Sequence, residues 1–257
     1  SPIDNVDEHD NIYDSLISAK KITSNDVLRV IKKISWTTGT IYEMYRPDYS
    51  INRLSPQTSS SSLYKTNFYV MNSDFRVYEC IYNGAAPANN GGGVISLEEP
   101  VHTDLQPRLE SDGYVWKYLY TIKPSDIIKF DSAEYIPVPA NWKTNSDVAD
   151  VRNSAVDGKI ETIVIEDTTT ASYQFNGTKN AVPIRGDGSD GLASVTFING
   201  KPSAVQVTNG GSGYSFATLD LDDVVTGSGA SFSVIVPPPG GHGADIYREL
   251  GANKVLV

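Results

Sequence analysis

The sequence predicts a mainly β protein: an α+β first domain with an antiparallel sheet and one or two helices, and an all-β second domain with an internal repeat. Three observations carry this prediction. The composition, with 15 Tyr, 21 Gly and 14 Pro beside abundant Ser, Thr, Asn and Val, favours pleated surfaces and tight turns over helices. The run Gly113-Tyr-Val-Trp-Lys-Tyr-Leu-Tyr-Thr-Ile122 alternates as a strand does. It places Tyr114, Trp116, Tyr118 and Tyr120 on one face and Val115, Lys117, Leu119 and Thr121 on the other. The second half holds two similar β-branched segments, each opened by an Asp-Gly or Asn-Gly pair. Hydrophobic residues at 39% and charged residues at 20% exclude wholesale disorder, and 257 residues suffice for a sizeable core.

The elements follow in chain order. A short helix is expected near residues 7–17. Thr23-Ser24-Asn25-Asp26 offers N-caps for a second helix, and Val27, Val30, Ile31 and Ile34 form one apolar stripe at helical spacing. Arg29, Lys32 and Lys33 then face solvent, and both helices read as a cover over a sheet. Residues 67–71 and 75–81 flank Asn72-Ser73-Asp74 as a hairpin. Pro124 ends the aromatic strand, and Pro137 and Pro139 stop another at residues 133–138. Two loops are expected: the Ser/Thr-rich residues 57–62, and the Gly/Asn-rich residues 83–93, which read as too flexible to pack.

Apolar content drops over residues 140–153, which suggests a domain boundary. The expected arrangement is a first domain of residues 1–140 plus 237–257, with residues 141–236 inserted. In the inserted part, residues 157–165 resemble residues 199–207, and the two copies lead to Tyr173 and Tyr214. Residues 191–198 and 230–236 read as further strands. Pro237-Pro-Pro-Gly-Gly-His-Gly243 then breaks the sheet, residues 244–251 suit a helical turn, and residues 253–257 form a strand returning to the first domain.

Several function classes fall away at this level. A net charge of −10 lacks the basic footprint that nucleic acid needs. No apolar run approaches the roughly 20 residues of a membrane span. The single Cys80 forms no internal disulfide and, inside an apolar run, reads as a buried inert thiol. The three histidines are scattered: His9 in an acidic stretch, His102 in a Pro-bounded loop, His242 between glycines. None has metal-ligand spacing. Ser212 lies in Asn209-Gly-Gly-Ser-Gly-Tyr214 between two β runs, which suits a glycine turn holding Tyr214 rather than a nucleophile elbow. Asp126, Asp131 and Glu134 are candidates for a glycosidase pair, but proximity among 31 acids is expected by chance. Asp187 and Asp190, and Asp220, Asp222 and Asp223, offer oxygens for calcium without the full loop pattern. The Tyr-rich strand suits either a core or interface or a sugar-stacking platform. No catalytic residue, cofactor or metal is expected.

The residues also carry a family likeness. Ser111-Asp-Gly-Tyr-Val-Trp-Lys-Tyr-Leu-Tyr120 resembles the Asp-Gly-Tyr-Val-Trp-Glu-Tyr-Leu-Phe run of the gene-eight baseplate wedge proteins of T-even-type contractile-tailed phages. Four other stretches agree in order. Val30-Ile-Lys-Lys-Ile-Ser-Trp36, read as a helix end, is similar to that family's Val-Ile, two basic residues and Trp. Tyr45-Arg-Pro-Asp-Tyr49 falls at its Tyr-Pro-Asp-Pro-Tyr, Val77-Tyr-Glu-Cys80 at its Val-Tyr-Arg-Cys, and Glu134-Tyr-Ile-Pro-Val-Pro139 at its Glu-Tyr-Ile-Val-Val-Pro. The likeness covers about residues 7–142, and the second half departs from it. The family's upstream portion is missing, and with the Ser1 start a trimmed piece of a longer protein is expected.

The resemblance implies a virion structural protein of the tail baseplate, assembled in the host cytoplasm, working with other wedge proteins and as a homodimer, with no catalytic residues to carry over. The alternative is a carbohydrate-binding or carbohydrate-cleaving tail component. Neither reading calls for nucleic acid or membrane. Candidate contact positions are Ala85, Pro87, Asn89 and Asn90 on the glycine-rich loop, and Pro238 and His242 at the crossover.

Overall fold

A computed structural model describes residues 5–17, 21–89, 91–222 and 224–257. The chain is mainly β, in several antiparallel sheets. Helix α1 (Val6–Ser15) is capped by Asn5, whose side chain accepts from the Glu8 N–H, and it buries none of its residues. Its expected role as a cover over a sheet is therefore not met.

The second expected helix is a strand. Only a single turn forms at Ser24–Asp26, where the Asp26 carboxylate accepts from the N–H and hydroxyl of Thr23. The chain then extends as β1 (Leu28–Lys32). The stripe misled because a short β-branched run fits either period. Here two strands flank β1, one on each edge, and Leu28, Val30 and Ile31 are all buried.

β2 (Tyr69–Met71) and β3 (Arg76–Tyr82) form the expected hairpin, with the Asn72 side chain accepting from the Asp74 and Arg76 N–H groups across the turn. β4 (Arg108–Leu109) and β5 (Val115–Thr121) complete a sheet ordered β2-β3-β5-β4. α2 (Pro124–Phe130) follows with Pro at its first position, where the missing N–H costs nothing. β6 (Tyr135–Pro137) pairs with β1. α3 (Ala149–Ser154) precedes β7 (Thr162–Asp167) and β8 (Ser172–Tyr173).

β9 (Gly177–Gly186), β10 (Ser189–Ile198), β11 (Lys201–Ser212) and β12 (Ala217–Leu219) form a sheet ordered β11-β10-β9-β12. Asn199 and Gly200 both take positive φ, the turn chemistry that a two-residue hairpin needs. β13 (Gly227–Ser228) pairs with β8, and β14 (Ser231–Ile235) pairs with β7. The two repeat copies thus meet different partners: β7 lies on β14, while β11 lies on β10. α4 (Ile246–Glu249) and β15 (Lys254–Leu256) close the chain, and β15 pairs with β1 as the returning strand was expected to do.

Apolar packing falls into two clusters. The first gathers Ile31, Tyr42, Phe68, Val77, Cys80, Trp116, Leu119, Tyr120, Ile136 and Ile246; the second gathers Ile160, Tyr173, Val182, Val195, Phe197 and Tyr214. Trp142, Val148, Val151, Val164 and Ile235 pack into the first cluster, so the interior of that cluster draws on residues from both sides of the expected boundary. Among the described residues no helix is long and apolar enough to cross a membrane.

Candidate functional site

Three elements far apart in the chain converge on one buried cluster. β3 is covered on both faces, so Glu79, between Tyr78 and Cys80, is fully enclosed. The crossover leaving β14 passes over this strand. A turn closes with the Gly241 N–H donating to Pro238 O, and the Gly240 N–H donates to Asp157 Oδ1. Gly241 and Gly243 take φ of +89° and +90°, a backbone that side-chain-bearing residues rarely adopt. The glycines on either side of His242 therefore let the chain turn its ring inward. Asp245 then caps α4, and the short helix directs Glu249 to the same place.

His242 Nδ1 lies 2.8 Å from Glu79 Oε2 and 2.8 Å from Glu249 Oε1. The Gly243 N–H donates to Glu249 Oε2 at 2.8 Å. Glu79 Oε1 is buried without a hydrogen-bond partner. The Tyr45 ring meets the imidazole edge-on, 4.8 Å between centroids. Lys117 sits opposite Glu79 in the β3–β5 register and turns its ammonium to Leu105 O.

Burial pushes the Glu79 carboxyl up, and the neighbouring Glu249 charge adds to the rise. Burial opposes a charge on His242, but Glu79 and Glu249 outweigh it and hold the imidazole above its usual range. Glu249 is held low: burial opposes its charge, but bonding to His242 and to the Gly243 N–H outweighs that. Chemically, the cluster is two carboxylate oxygens and one imidazole nitrogen arranged to share either a proton or a cation, sealed from solvent.

Sequence reasoning placed His242 at this crossover but as a contact position, with no metal-ligand spacing. The ligand-type partners lie 163 and 7 positions away, a spacing that no local motif encodes. One signal was present: Glu79 is an acid inside an otherwise apolar strand, where a charge needs a partner.

The expected contact positions separate. Ala85, Pro238 and His242 are buried within the chain and offer no outward surface; Pro87 is half-buried, Asn89 is exposed, and Asn90 lies outside the described residues. The loop of residues 83–93 also packs more than its composition suggested. Asn83 is buried, its amide donates to Tyr42 O, and its carbonyl accepts from the Val94 N–H. A Cβ on Gly93 would fall 2.6 Å from the Asn83 amide, so glycine serves close approach there.

The aromatic strand is core. Tyr114, Trp116 and Tyr120 are buried, as are Lys117 and Leu119 on the other face, so these rings make no sugar platform. The motif's polar residues are structural as well. Asp112 accepts from the Leu97, Glu98 and Tyr114 N–H groups and the Ser96 hydroxyl. The Tyr114 hydroxyl donates to Val94 O and accepts from the Tyr42 N–H.

The other singled-out residues go elsewhere. Asp131 pairs with Lys33 at 2.8 Å, while Asp126 lies at the start of α2 and Glu134 is exposed before β6. Asp187 accepts from the Ser215 and Phe216 N–H groups, and Asp220 accepts from the Asp222 N–H; Asp223 lies outside the described residues. Residues 209–212, expected as a glycine turn, instead continue β11, because Gly210 and Ser212 pair with Gly191 and Ser189 of β10. Tyr214 beyond them is buried, and its hydroxyl donates to Ile184 O and accepts from the Gly191 N–H. Cys80 is fully buried, and burial drives its thiol well up. His102 is buried; its ring nitrogens make no hydrogen bond but lie 3.9 Å from the Asp104 and Glu110 carboxylates. His9 lies exposed on α1.

No protein-family model, no curated protein and no solved structure matches the chain.

Proposed function

We propose that the protein is a structural virion component, a baseplate wedge subunit of a contractile tail that acts by assembling with other wedge proteins. The observation that supports this most is where the family-like residues lie. Ile31, Tyr45, Val77, Cys80, Tyr114, Trp116, Tyr120, Ile136 and Val138 come from five separate stretches, yet all pack in one cluster. A likeness spread along the chain in shared order is expected to mark a shared core when its residues touch. Their chemistry is that of packing and loop-locking: Asp112 pins residues 96–98, and Arg46 ties the Tyr45–Tyr49 stretch to β7 and β14 through Glu166 and Ser233. In this reading the protein is not an enzyme, and it presents rigid sheets and loops to partners, with Pro87 and Asn89 among the outward positions.

The test is direct. Tail particles purified from the phage that encodes this chain are digested for mass spectrometry and labelled with antibody against the chain. Copies in fixed ratio to other wedge proteins, with label at the distal end of the tail, are expected. Absence from the particles overturns the proposal. Release of reducing sugars from host-surface glycans by the purified chain overturns the non-catalytic part of it.

A further inference from the structure

We propose that Glu79, His242 and Glu249 bind one divalent transition-metal ion of the zinc class, which pins the crossover of residues 237–243 onto β3. The inference stands on the cluster's geometry and is independent of the wedge reading. Each residue offers one donor atom, the donors lie within 4.8 Å of one another, and all three residues are buried. One imidazole nitrogen with carboxylate oxygens suits zinc and its neighbours, whereas calcium and magnesium favour all-oxygen shells of six or more ligands.

A further observation points to a ligand. Glu79 Oε1 is buried without a hydrogen-bond donor, an unfavourable state that a cation would relieve. The charge permits an ion: two carboxylates and a neutral imidazole around a dication sum to zero, as do a protonated Glu79, an imidazolium and the Glu249 carboxylate. Lys117, the nearest cation across the strand pair, is committed to Leu105 O.

The 2.8 Å separations are those of a proton-bridged set. A metal with bonds of about 2.0–2.2 Å spaces tetrahedral donors about 3.3 Å apart, so binding requires an opening of about 0.5 Å. Rotation of the two Glu side chains supplies that. With the Tyr45 ring against the imidazole and no solvent path, the ion would be structural and taken up as the chain folds.

The experiment uses the whole chain. Protein made in zinc-supplemented medium is stripped of loose metal on a chelating resin and assayed by elemental mass spectrometry. It is then unfolded and refolded with zinc alone or cobalt alone. About one equivalent of zinc per chain is expected, with visible cobalt bands distinct from those of free aqueous cobalt. The variants His242→Gln and Glu79→Gln are expected to lower metal content at least about tenfold.

Wild-type protein holding less than about 0.1 equivalent, with the spectrum of free aqueous cobalt, overturns the proposal and leaves a proton-bridged cluster. Metal retained at full occupancy in folded His242→Gln overturns the assignment to these residues. If that variant fails to fold, the wild-type occupancy and cobalt spectrum still decide.

Discussion

Replacing Asp112 with Asn tests whether the turn leading into β5 works as a structural lock. Asp112 Oδ2 accepts from Leu97 N at 2.8 Å, Glu98 N at 3.0 Å and Ser96 Oγ at 3.2 Å, and Oδ1 accepts from Tyr114 N at 3.1 Å. Asn keeps the shape but turns one acceptor into a donor, so one N–H must face an NH₂. Losing a hydrogen bond to a charged group costs roughly 1.5–3 kcal/mol, and the remaining bonds weaken as the charge goes. Partial solvent exposure trims the sum, and a loss of about 2 kcal/mol is expected. Urea denaturation of both proteins measures it.

The pH dependence gives a second readout of the same contact. Partial burial pushes the Asp112 carboxyl up, but the N–H groups of Glu98, Leu97 and Tyr114 and the Ser96 hydroxyl outweigh it and hold it low. A carboxyl lower in the folded state stabilises fully above its unfolded value, near 3.9, and loses that contribution as pH falls through the folded value. The gap between wild type and Asp112→Asn is therefore constant near neutral pH and narrows in strong acid. A gap below about 0.5 kcal/mol at neutral pH, or one that widens on acidification, refutes the reasoning.

Other substitutions probe the rest of the fold. Arg46→Lys removes a bidentate contact with Asp48 and the bonds to Glu166 and Ser233. Breaking a buried pair costs about 3–5 kcal/mol, but the Asp48 and Glu166 side chains are 41% and 25% exposed, so about 2 kcal/mol is expected. A double-mutant cycle with Glu166→Gln that shows no coupling refutes it. Tyr214→Phe keeps the ring but strands the Gly191 N–H and the Ile184 carbonyl, for a loss of about 2–4 kcal/mol at unchanged urea m-value. A change under about 0.5 kcal/mol shows that these groups find other partners. Cys80 should label with a thiol reagent only as fast as the chain unfolds; stoichiometric labelling of native protein within minutes contradicts its burial.

Much of the architecture was legible in the sequence because its causes are local. The alternation over residues 113–122, the Asn72 turn, Pro124 as the stop after the aromatic strand, and the Asn199-Gly200 hairpin each follow from side-chain direction or backbone dihedrals within a few residues.

What tertiary structure alone decided is non-local. The segment after Thr23 carries a stripe that fits a helix, and it became β1 because β6 and β15, more than 100 residues downstream in sequence, supply both edges. The Asn- and Gly-rich loop at residues 83–93 looked too flexible to pack, yet Asn83 finds Tyr42 O across the core. The buried cluster depends on chain closure most of all. Glu79, His242 and Glu249 meet only when the crossover returns over β3, and no spacing along the chain encodes that meeting. Local chemistry determined which residues turn, extend or hide, and three-dimensional closure decided which of them touch.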